Sequence, residues 1–220
     1  GTVVIDVTSG TTGQATVSPS SLTFTTGNWD TPQTVTVTGV DNDVDGSNAG
    51  STITLAVNDG STADANYDAL SNQTVTAALT DNDTAGFTKS TSSVTVTEAA
   101  GGSNTATFTV VLDSEPSSGT VVIDVTSGTT GQATVSPSSL TFTTGNWDTP
   151  QTVTVTGVDN DVDGSNAGST ITLAVNDGST ADANYDALSD QTVTAALTDN
   201  DTAGFTKSTS SVTVTEAAGG

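Results

Sequence analysis

Apolar and polar residues alternate with a period of two in short segments along the whole chain. Val3, Ile5 and Val7, for example, are separated by Val4 and Asp6, which is the pattern of a β-strand with one buried face. Threonine fills most outward positions, as β-branched residues do on the solvent-facing side of a sheet. No segment has a convincing helical period of 3.6 residues. The pattern therefore predicts an all-β protein.

The sequence also repeats itself. Residues 1–102 recur as residues 119–220, an offset of 119 − 1 = 118 residues, and differ at one position, Asn72 against Asp190. A unit of this length accommodates one sandwich core but not two. Each repeat has seven alternating segments separated by clusters of glycine, asparagine, aspartate, serine and proline. We therefore predict a seven-stranded antiparallel β-sandwich that is repeated in tandem.

Composition excludes several classes of function. The chain has 25 acidic and two basic residues, a formal net charge of −23, which repels nucleic acid and anionic membranes. It has no cysteine and no histidine, so disulfides, thiolate metal sites and histidine-based catalysis are excluded. Without a run of 18 apolar residues we expect no membrane insertion. We expect no enzyme, no nucleic-acid partner and no small-molecule substrate.

Acidic residues concentrate where strands end. If successive strands alternate in direction, the ends of the first, third, fifth and seventh strands meet at one pole, which we call the acidic pole. Residues i and i+2 of an extended segment point the same way, so these carboxylates converge and repel one another. A hard cation relieves such repulsion, and a set of oxygen ligands favours calcium (Ca2+) over zinc or copper. The residues placed there are Asp41, Asp43, Asp45, Asp81, Asp83 and Glu98.

Two other interpretations of these acidic segments were considered. The run from Asp41 to Gly46 matches the first half of an EF-hand loop, but the twelfth position is Thr52 instead of glutamate and strands flank the loop, which excludes an EF-hand. Aspartate and asparagine also end strands through side-chain turns that need no metal. Two such runs together with a glutamate at one pole favour the calcium site.

The order of these motifs resembles the Calx-beta family. A first strand ends in Thr-Glu-Ala-Ala-Gly-Gly, a central strand in Val-Asp-Asn-Asp and a last strand in Thr-Asp-Asn-Asp. The tandem copies of Asn-Trp-Asp-Thr-Pro-Gln-Thr-Val-Thr-Val are similar to the extender repeats of large bacterial RTX-type adhesins. The resemblance implies an immunoglobulin-like sandwich with strands A to G. These strands are expected at 87–97, 104–112, 119–126, 139–144, 151–157, 169–175 and 191–197.

These strand positions divide the chain into three parts. Residues 85–202 are expected to form a complete sandwich, which we call the second unit. Residues 1–84 supply strands C to G of an incomplete first unit, and residues 203–220 supply strand A of a following one. Because the first unit lacks two strands, we expect it to have an exposed edge.

The resemblance also implies a set of metal ligands in the second unit. They are Glu98, Asp159, Asp161, Asp163, Asp199 and Asp201. Since no linker follows Asp83, we further expect calcium near Asp81 and Asp83 to recruit an acidic residue from the neighbouring unit. The candidates for this junction are Asp113, Glu115 and Asp186.

The nearly identical copies favour a structural spacer whose partners are neighbouring identical repeats of the same chain. The resemblance and the acidic composition imply an extracellular location, on a bacterial cell surface. A carbohydrate-binding module acting through Trp29 or Trp147 is the first alternative, although each tryptophan is also expected to pack against its own turn. A calcium-sensing regulatory domain is the second alternative.

Overall fold

The structure is a computed structural model that describes residues 1–46, 49–98, 104–164 and 167–219. These residues form a nearly all-β protein with one short helix, α1 (Ala183–Asp186). The strands are β1 (Val3–Ser9), β2 (Ala15–Ser18), β3 (Ser21–Phe24), β4 (Thr36–Gly39), β5 (Ser51–Val57), β6 (Gln73–Ala77), β7 (Phe87–Lys89), β8 (Ser93–Thr97), β9 (Thr105–Leu112), β10 (Thr120–Ser127), β11 (Ala133–Ser136), β12 (Ser139–Thr143), β13 (Gln151–Gly157), β14 (Ser169–Val175) and β15 (Gln191–Thr198).

The second unit consists of two sheets. One has the order β12-β10-β14-β15-β8 and the other the order β11-β13-β9-β7. Every neighbouring pair is antiparallel except β15 and β8, which are parallel. Strands β8, β10 and β15 therefore run in the same direction, as the alternation of strand directions requires.

A single hydrophobic core lies between these two sheets. On β10, Val121, Ile123 and Val125 are buried and their neighbours are not, as the period of two predicts. The same core includes Phe108 from β9 and Val153 from β13, which belong to the other sheet. Residues from both sheets thus share one core, and the second unit is a two-layer β-structure.

The strand count differs from the prediction. The expected first strand is divided into β7, which pairs with β9, and β8, which pairs with β15. Between them, Thr91 Oγ1 accepts a hydrogen bond from the nitrogen of Ser93 (3.3 Å) and donates one to the oxygen of Ser93 (2.9 Å), so a local turn interrupts the strand. The additional strand β11 is four residues long, and its apolar residues are only Ala133 and Val135, an alternation too short to recognise.

The first unit repeats part of this arrangement. Its sheets are β3-β1-β5-β6 and β2-β4, and Ile5 pairs with Leu22 in the same register as Ile123 with Leu140. Among the described residues, nothing corresponds to β7, β8 and β9 beside these strands. The core of the first unit is accordingly small, with Val7, Leu22 and Ile53 as its buried residues.

Residues 203–219 differ from the expectation of a strand A in residues 203–220. No strand is assigned there, and these residues are exposed. The physical reason is that an isolated strand has no partner for its backbone hydrogen bonds. Helix α1 is four residues long, and the described residues include no helix with the length and apolarity needed to cross a membrane.

Candidate metal centre

The parallel pairing of β8 with β15 brings two acidic strand ends together. Thr97 lies opposite Thr198 in the register of these strands, and the next residues are Glu98 and Asp199. The backbone nitrogen of Glu98 donates a hydrogen bond to the oxygen of Thr198 at 3.1 Å. Glu98 is completely buried. Because parallel strands end at the same edge of a sheet, the glutamate is adjacent to the acidic segment that follows β15.

Three carboxylates form a compact cluster, which we call the candidate metal centre. One carboxylate oxygen from each of Glu98, Asp199 and Asp201 lies within 4.8 Å of the others. In addition, Asp201 Oδ2 is buried and accepts no hydrogen bond from the residues that the structure describes. Hard cations such as calcium and magnesium bind to oxygen ligands of this kind. The cluster could therefore hold a metal ion.

The loop after β13 supports this cluster through hydrogen bonds. Asn160 donates from Nδ2 to Glu98 Oε1, and its Oδ1 accepts from the nitrogen of Val162 at 2.9 Å. The backbone nitrogen of Gly164 donates to Asp199 Oδ2 at 2.9 Å. The side chain of Asn160, which sequence reasoning did not single out, thus positions the buried glutamate.

The remaining predicted ligands of the second unit lie in this same loop. Asp163 Oδ2 accepts a hydrogen bond from the nitrogen of Ala203 at 2.6 Å, and Asp159 and Asp161 are exposed. Within the described part of the chain, the compact cluster includes none of these three carboxylates. They nevertheless lie close enough to raise the pKa of Asp201.

The two aspartates of the cluster have opposite electrostatic environments. Burial is the main cause that raises the pKa of Asp201, followed by the negative charge of Asp199. Hydrogen bonds from the backbone nitrogens of Gly164 and Asp201 lower the pKa of Asp199. The charge of Asp199 is thus stabilised beside a carboxylate whose charge is unfavourable, and a bound cation would relieve this repulsion.

The acidic pole of the first unit has a similar hydrogen-bond pattern. The nitrogen of Gly46 donates to Asp81 Oδ2 (2.8 Å), and the nitrogen of Ala85 donates to Asp45 Oδ2 (2.7 Å). Asp83 Oδ2 is buried and accepts no hydrogen bond within the described part of the chain. Burial, and then the charges of four neighbouring carboxylates, raise the pKa of Asp83. These neighbours, in order of effect, are Asp81, Asp41, Asp43 and Asp45.

Residues 41–46, which follow β4 and which we call the acidic loop, contact the second unit directly. The backbone nitrogen of Glu115 donates to the oxygen of Asp43 at 2.6 Å. The side chain of Asn184 donates from Nδ2 to the oxygen of Asp45 at 2.5 Å. Glu115 was a predicted junction residue, but its described contact is made by the backbone. Asn184 was not among the predicted junction ligands, which were all acidic.

The other two predicted junction residues occupy different positions. Asp113 donates from its nitrogen to the oxygen of Gly86 at 2.8 Å, and its carboxylate lies against Gly86, where an added Cβ would be 2.5 Å from Oδ2. Asp113 thus lies at the start of the second unit. Asp186 is the last residue of α1, and no described hydrogen bond connects its side chain to the acidic loop.

The opposite pole of the second unit is filled by its own loop. Tyr185 is buried and its hydroxyl donates to the oxygen of Ser114 at 2.6 Å. The nitrogen of Ser117 donates to Asp182 Oδ2 at 2.5 Å. Asp182 also accepts from the nitrogen of Asn184 and caps α1. Trp147 packs against the core, whereas its counterpart Trp29 in the first unit is exposed and does not show the packing predicted for both tryptophans.

In the first unit the same pole has a cavity of about 400 Å³. Its lining includes Trp29, Asp64 and Tyr67, which are the counterparts of Trp147, Asp182 and Tyr185. The cavity therefore corresponds to the space that the loop containing Ser114 and Ser117 occupies in the second unit. It arises because that loop has no counterpart in residues 1–84.

Gly157 permits the close approach of β8 to β13. A Cβ on Gly157 would lie 2.3 Å from the oxygen of Thr97 and 3.0 Å from Leu197. We expect Gly157→Ala to lower the free energy of unfolding by about 1–3 kcal/mol, because the clash involves backbone directly before the candidate metal centre. The matched change Gly39→Ala meets the flexible end of Leu79 at 2.7 Å and should cost less than about 1 kcal/mol. Equal losses in denaturant titrations of the two variants would contradict this prediction.

No protein-family model matches this chain, and no curated protein matches it.

Proposed function

We propose that this chain is a structural extender, or spacer, of a secreted bacterial cell-surface adhesin, and that calcium at the acidic pole stiffens the junction between its repeats. The observation that carries the proposal is the direct contact of the acidic loop of the first unit with the second unit. That loop, through the oxygens of Asp43 and Asp45, accepts hydrogen bonds from Glu115 and Asn184. Acidic residues and the contact between units thus occupy the same place.

The fold supports this proposal. The second unit has two layers and a first strand that divides between the sheets, and this arrangement is consistent with the proposed immunoglobulin-like or Calx-beta sandwich. Successive units follow one another directly, since Asp83 already belongs to the acidic pole and Phe87 begins β7 of the next unit. A short connection between two sandwiches limits their relative rotation. Repeating such a unit lengthens the molecule without needing any new interface.

The donor set supports calcium as the ion. The cluster of Glu98, Asp199 and Asp201 has only carboxylate oxygens. Calcium accepts six to eight oxygen ligands in flexible geometry, whereas magnesium requires near-octahedral geometry and keeps several waters. The three aspartates at 159, 161 and 163 lie on the adjoining loop, so a calcium ion can recruit further oxygens without remodelling the strands. At the acidic pole of the first unit, the buried oxygen of Asp83 offers an equivalent ligand.

The spacer role is favoured over the alternatives by what fills the opposite pole. A carbohydrate-binding repeat would need an open aromatic surface in each copy, but in the second unit Trp147 packs against the core and Tyr185 is buried. A calcium sensor would need a responsive partner domain of different structure. Catalysis has no support in the chain's chemistry, because it lacks histidine and cysteine. Glycan binding by the 220-residue chain would favour the first alternative.

Small-angle X-ray scattering tests the junction. We expect a maximum dimension of about 80 Å in calcium, from about 40 Å for each unit, and a broader, shorter distance distribution in chelator. Asp81→Asn with Asp83→Asn should give the chelator profile even in calcium, because both ligands belong to the junction. The matched pair Asp199→Asn with Asp201→Asn, at the far pole, should keep the extended profile. Identical scattering with calcium and with chelator would refute a calcium-stiffened junction.

A further inference from the structure

The acidic loop meets the second unit through its main chain. The backbone oxygen of Asp43 accepts a hydrogen bond from the nitrogen of Glu115 (2.6 Å), and that of Asp45 accepts one from Asn184 Nδ2 (2.5 Å). A backbone oxygen only accepts hydrogen bonds, so the bond to Asp45 requires the donating group of the Asn184 amide. Neither bond uses a carboxylate of the loop.

The two donors of this contact lie on loops of the second unit that are tied to each other. Tyr185 OH donates to the oxygen of Ser114 at 2.6 Å, and the nitrogen of Ser117 donates to Asp182 Oδ2 at 2.5 Å. Ser114, Asp182 and Tyr185 are buried, which strengthens hydrogen bonds between them and their partners. The two donors are therefore held in fixed relative positions, and little order has to be gained when they meet the acidic loop.

The connection between the units is anchored on both sides. The nitrogen of Ala85 donates to Asp45 Oδ2 at 2.7 Å, and the oxygen of Gly86 accepts from the nitrogen of Asp113 at 2.8 Å. These bonds fix where the connection lies, but they still permit the second unit to rotate about it. A contact on another loop of that unit restricts the rotation, and Asn184 supplies one.

We propose that Asn184 is a positioning residue that fixes the orientation of the second unit on the acidic loop without a metal ion. Its hydrogen bond contributes about 2- to 10-fold to the equilibrium between docked and undocked units. The same residue types recur in the other copy, as Asn66 for Asn184 and as Asp163 for Asp45. Consecutive copies of the repeat thus contain both halves of this contact.

Docking through Asn184 should also strengthen calcium binding at the acidic pole of the first unit. This part rests on the proposed calcium function. The backbone oxygen of Asp45 faces the second unit, and its carboxylate is one of the expected ligands. Holding the backbone limits the positions of that carboxylate, so less order is lost when an ion binds. Because coupling between two binding events is reciprocal, a bound ion would in turn favour the docked orientation.

Pulsed electron paramagnetic resonance of the 220-residue chain tests the positioning role. The chain has no cysteine, so spin labels can be placed through Thr16→Cys and Thr134→Cys, which are exposed counterparts in the two units. In chelator, we expect a narrow distance component from docked molecules. Asn184→Asp keeps the size of the side chain but replaces its donor with an acceptor. It should lower the ratio of docked to undocked molecules by about 3- to 10-fold.

Asn66→Asp is the matched control. It adds the same charge at the corresponding position of the first unit, where Asn66 Nδ2 donates to Asp64 Oδ1 of its own loop at 2.8 Å. We expect this control to give the wild-type distance distribution. Asn184→Ala, which adds no charge, should also reduce the docked component. Both asparagines are exposed, so thermal unfolding should show that the units stay folded. Equal distributions for Asn184→Asp and Asn66→Asp in chelator would overturn the proposal.

Isothermal titration calorimetry separates this proposal from the calcium function. In a background of Asp199→Asn with Asp201→Asn, calcium binding should report on the acidic pole of the first unit. Asn184→Ala should weaken that binding by about 2- to 10-fold, and an unchanged affinity would overturn the coupling. If calcium does not bind at all while Asn184→Asp still reduces docking in chelator, the positioning role stands and the calcium function fails.

Discussion

We expect calcium in large excess over its dissociation constant to raise the melting temperature of the second unit by about 10 °C relative to chelator. The reason is that a ligand at about 100 times its dissociation constant stabilises the folded state by about 2.7 kcal/mol, and each kcal/mol corresponds to about 4 °C for a unit of this size. A bound ion would neutralise the carboxylates that lie close together at Glu98, Asp199 and Asp201. Differential scanning calorimetry in calcium, magnesium and chelator measures the effect.

The double variant Asp199→Asn with Asp201→Asn separates metal binding from a purely structural role of these residues. It should lose the response to calcium, yet in chelator it should be about as stable as the wild type. One reason is that burial and neighbouring charges raise the pKa of Asp201, so removing its charge relieves an unfavourable state when no cation is bound. This gain is opposed at position 199, because asparagine has one acceptor oxygen and can accept only one of the two backbone hydrogen bonds that Asp199 accepts from Gly164 and Asp201.

Two outcomes would contradict this prediction. An unchanged melting temperature of the wild type in calcium would exclude a stabilising site at the cluster. A double variant that is much less stable than the wild type in chelator would show that the two carboxylates stabilise the unit without metal. The pair Asp81→Asn with Asp83→Asn serves as the control, because it removes equivalent charges from the other acidic pole and leaves the cluster intact.

Truncating one phenylalanine should have very different effects in the two units. Phe142 is completely buried in the core of the second unit, whereas its counterpart Phe24 is partly exposed. We expect Phe142→Ala to lower the free energy of unfolding of the second unit by about 3–5 kcal/mol. Phe24→Ala should cost the first unit about half of this or less, because the missing strands leave less packing to lose.

The two tryptophans make this experiment specific to each unit. Trp147 packs against the core of the second unit and Trp29 is largely exposed in the first. In a Trp29→Phe background, fluorescence during urea unfolding reports on Trp147 alone. Equal effects of the two truncations in their own units would contradict the difference in packing. A Leu140→Ala and Leu22→Ala pair would then show whether the result is particular to phenylalanine, since both leucines are buried.

Local pattern predicted most of the strands because burial in a sheet alternates with each residue. Strands β9, β10, β13, β14 and β15 agree closely with the expected positions. The pattern did not predict the division between β7 and β8, because the interruption depends on a side-chain turn at Thr91. It also did not predict β11, whose buried residue Ala133 is small and whose position in the sheet depends on β13.

For the candidate metal centre, residue type predicted the chemistry but not the grouping. Glu98, Asp199 and Asp201 were among the expected ligands, and the structure brings these three together. Asp159, Asp161 and Asp163 share a loop with Asn160, and that amide makes the contact with Glu98. Side chains in a loop have no strand register to direct them, so their spacing in sequence does not determine which of them face the cluster.

By itself the sequence determined which face of each strand is apolar, that acidic residues stand at strand ends, and that histidine or cysteine chemistry is absent. Tertiary structure alone decided which of those apolar faces are buried. Val75 and Val193 have closely similar sequence surroundings, but only Val193 has the complete set of strands around it. The tertiary structure also decided that Glu98 lies beside Asp199, because β8 pairs with β15 in parallel. The physical reason is that burial and strand pairing depend on residues far apart in the chain, whereas alternation and charge are properties of the local sequence.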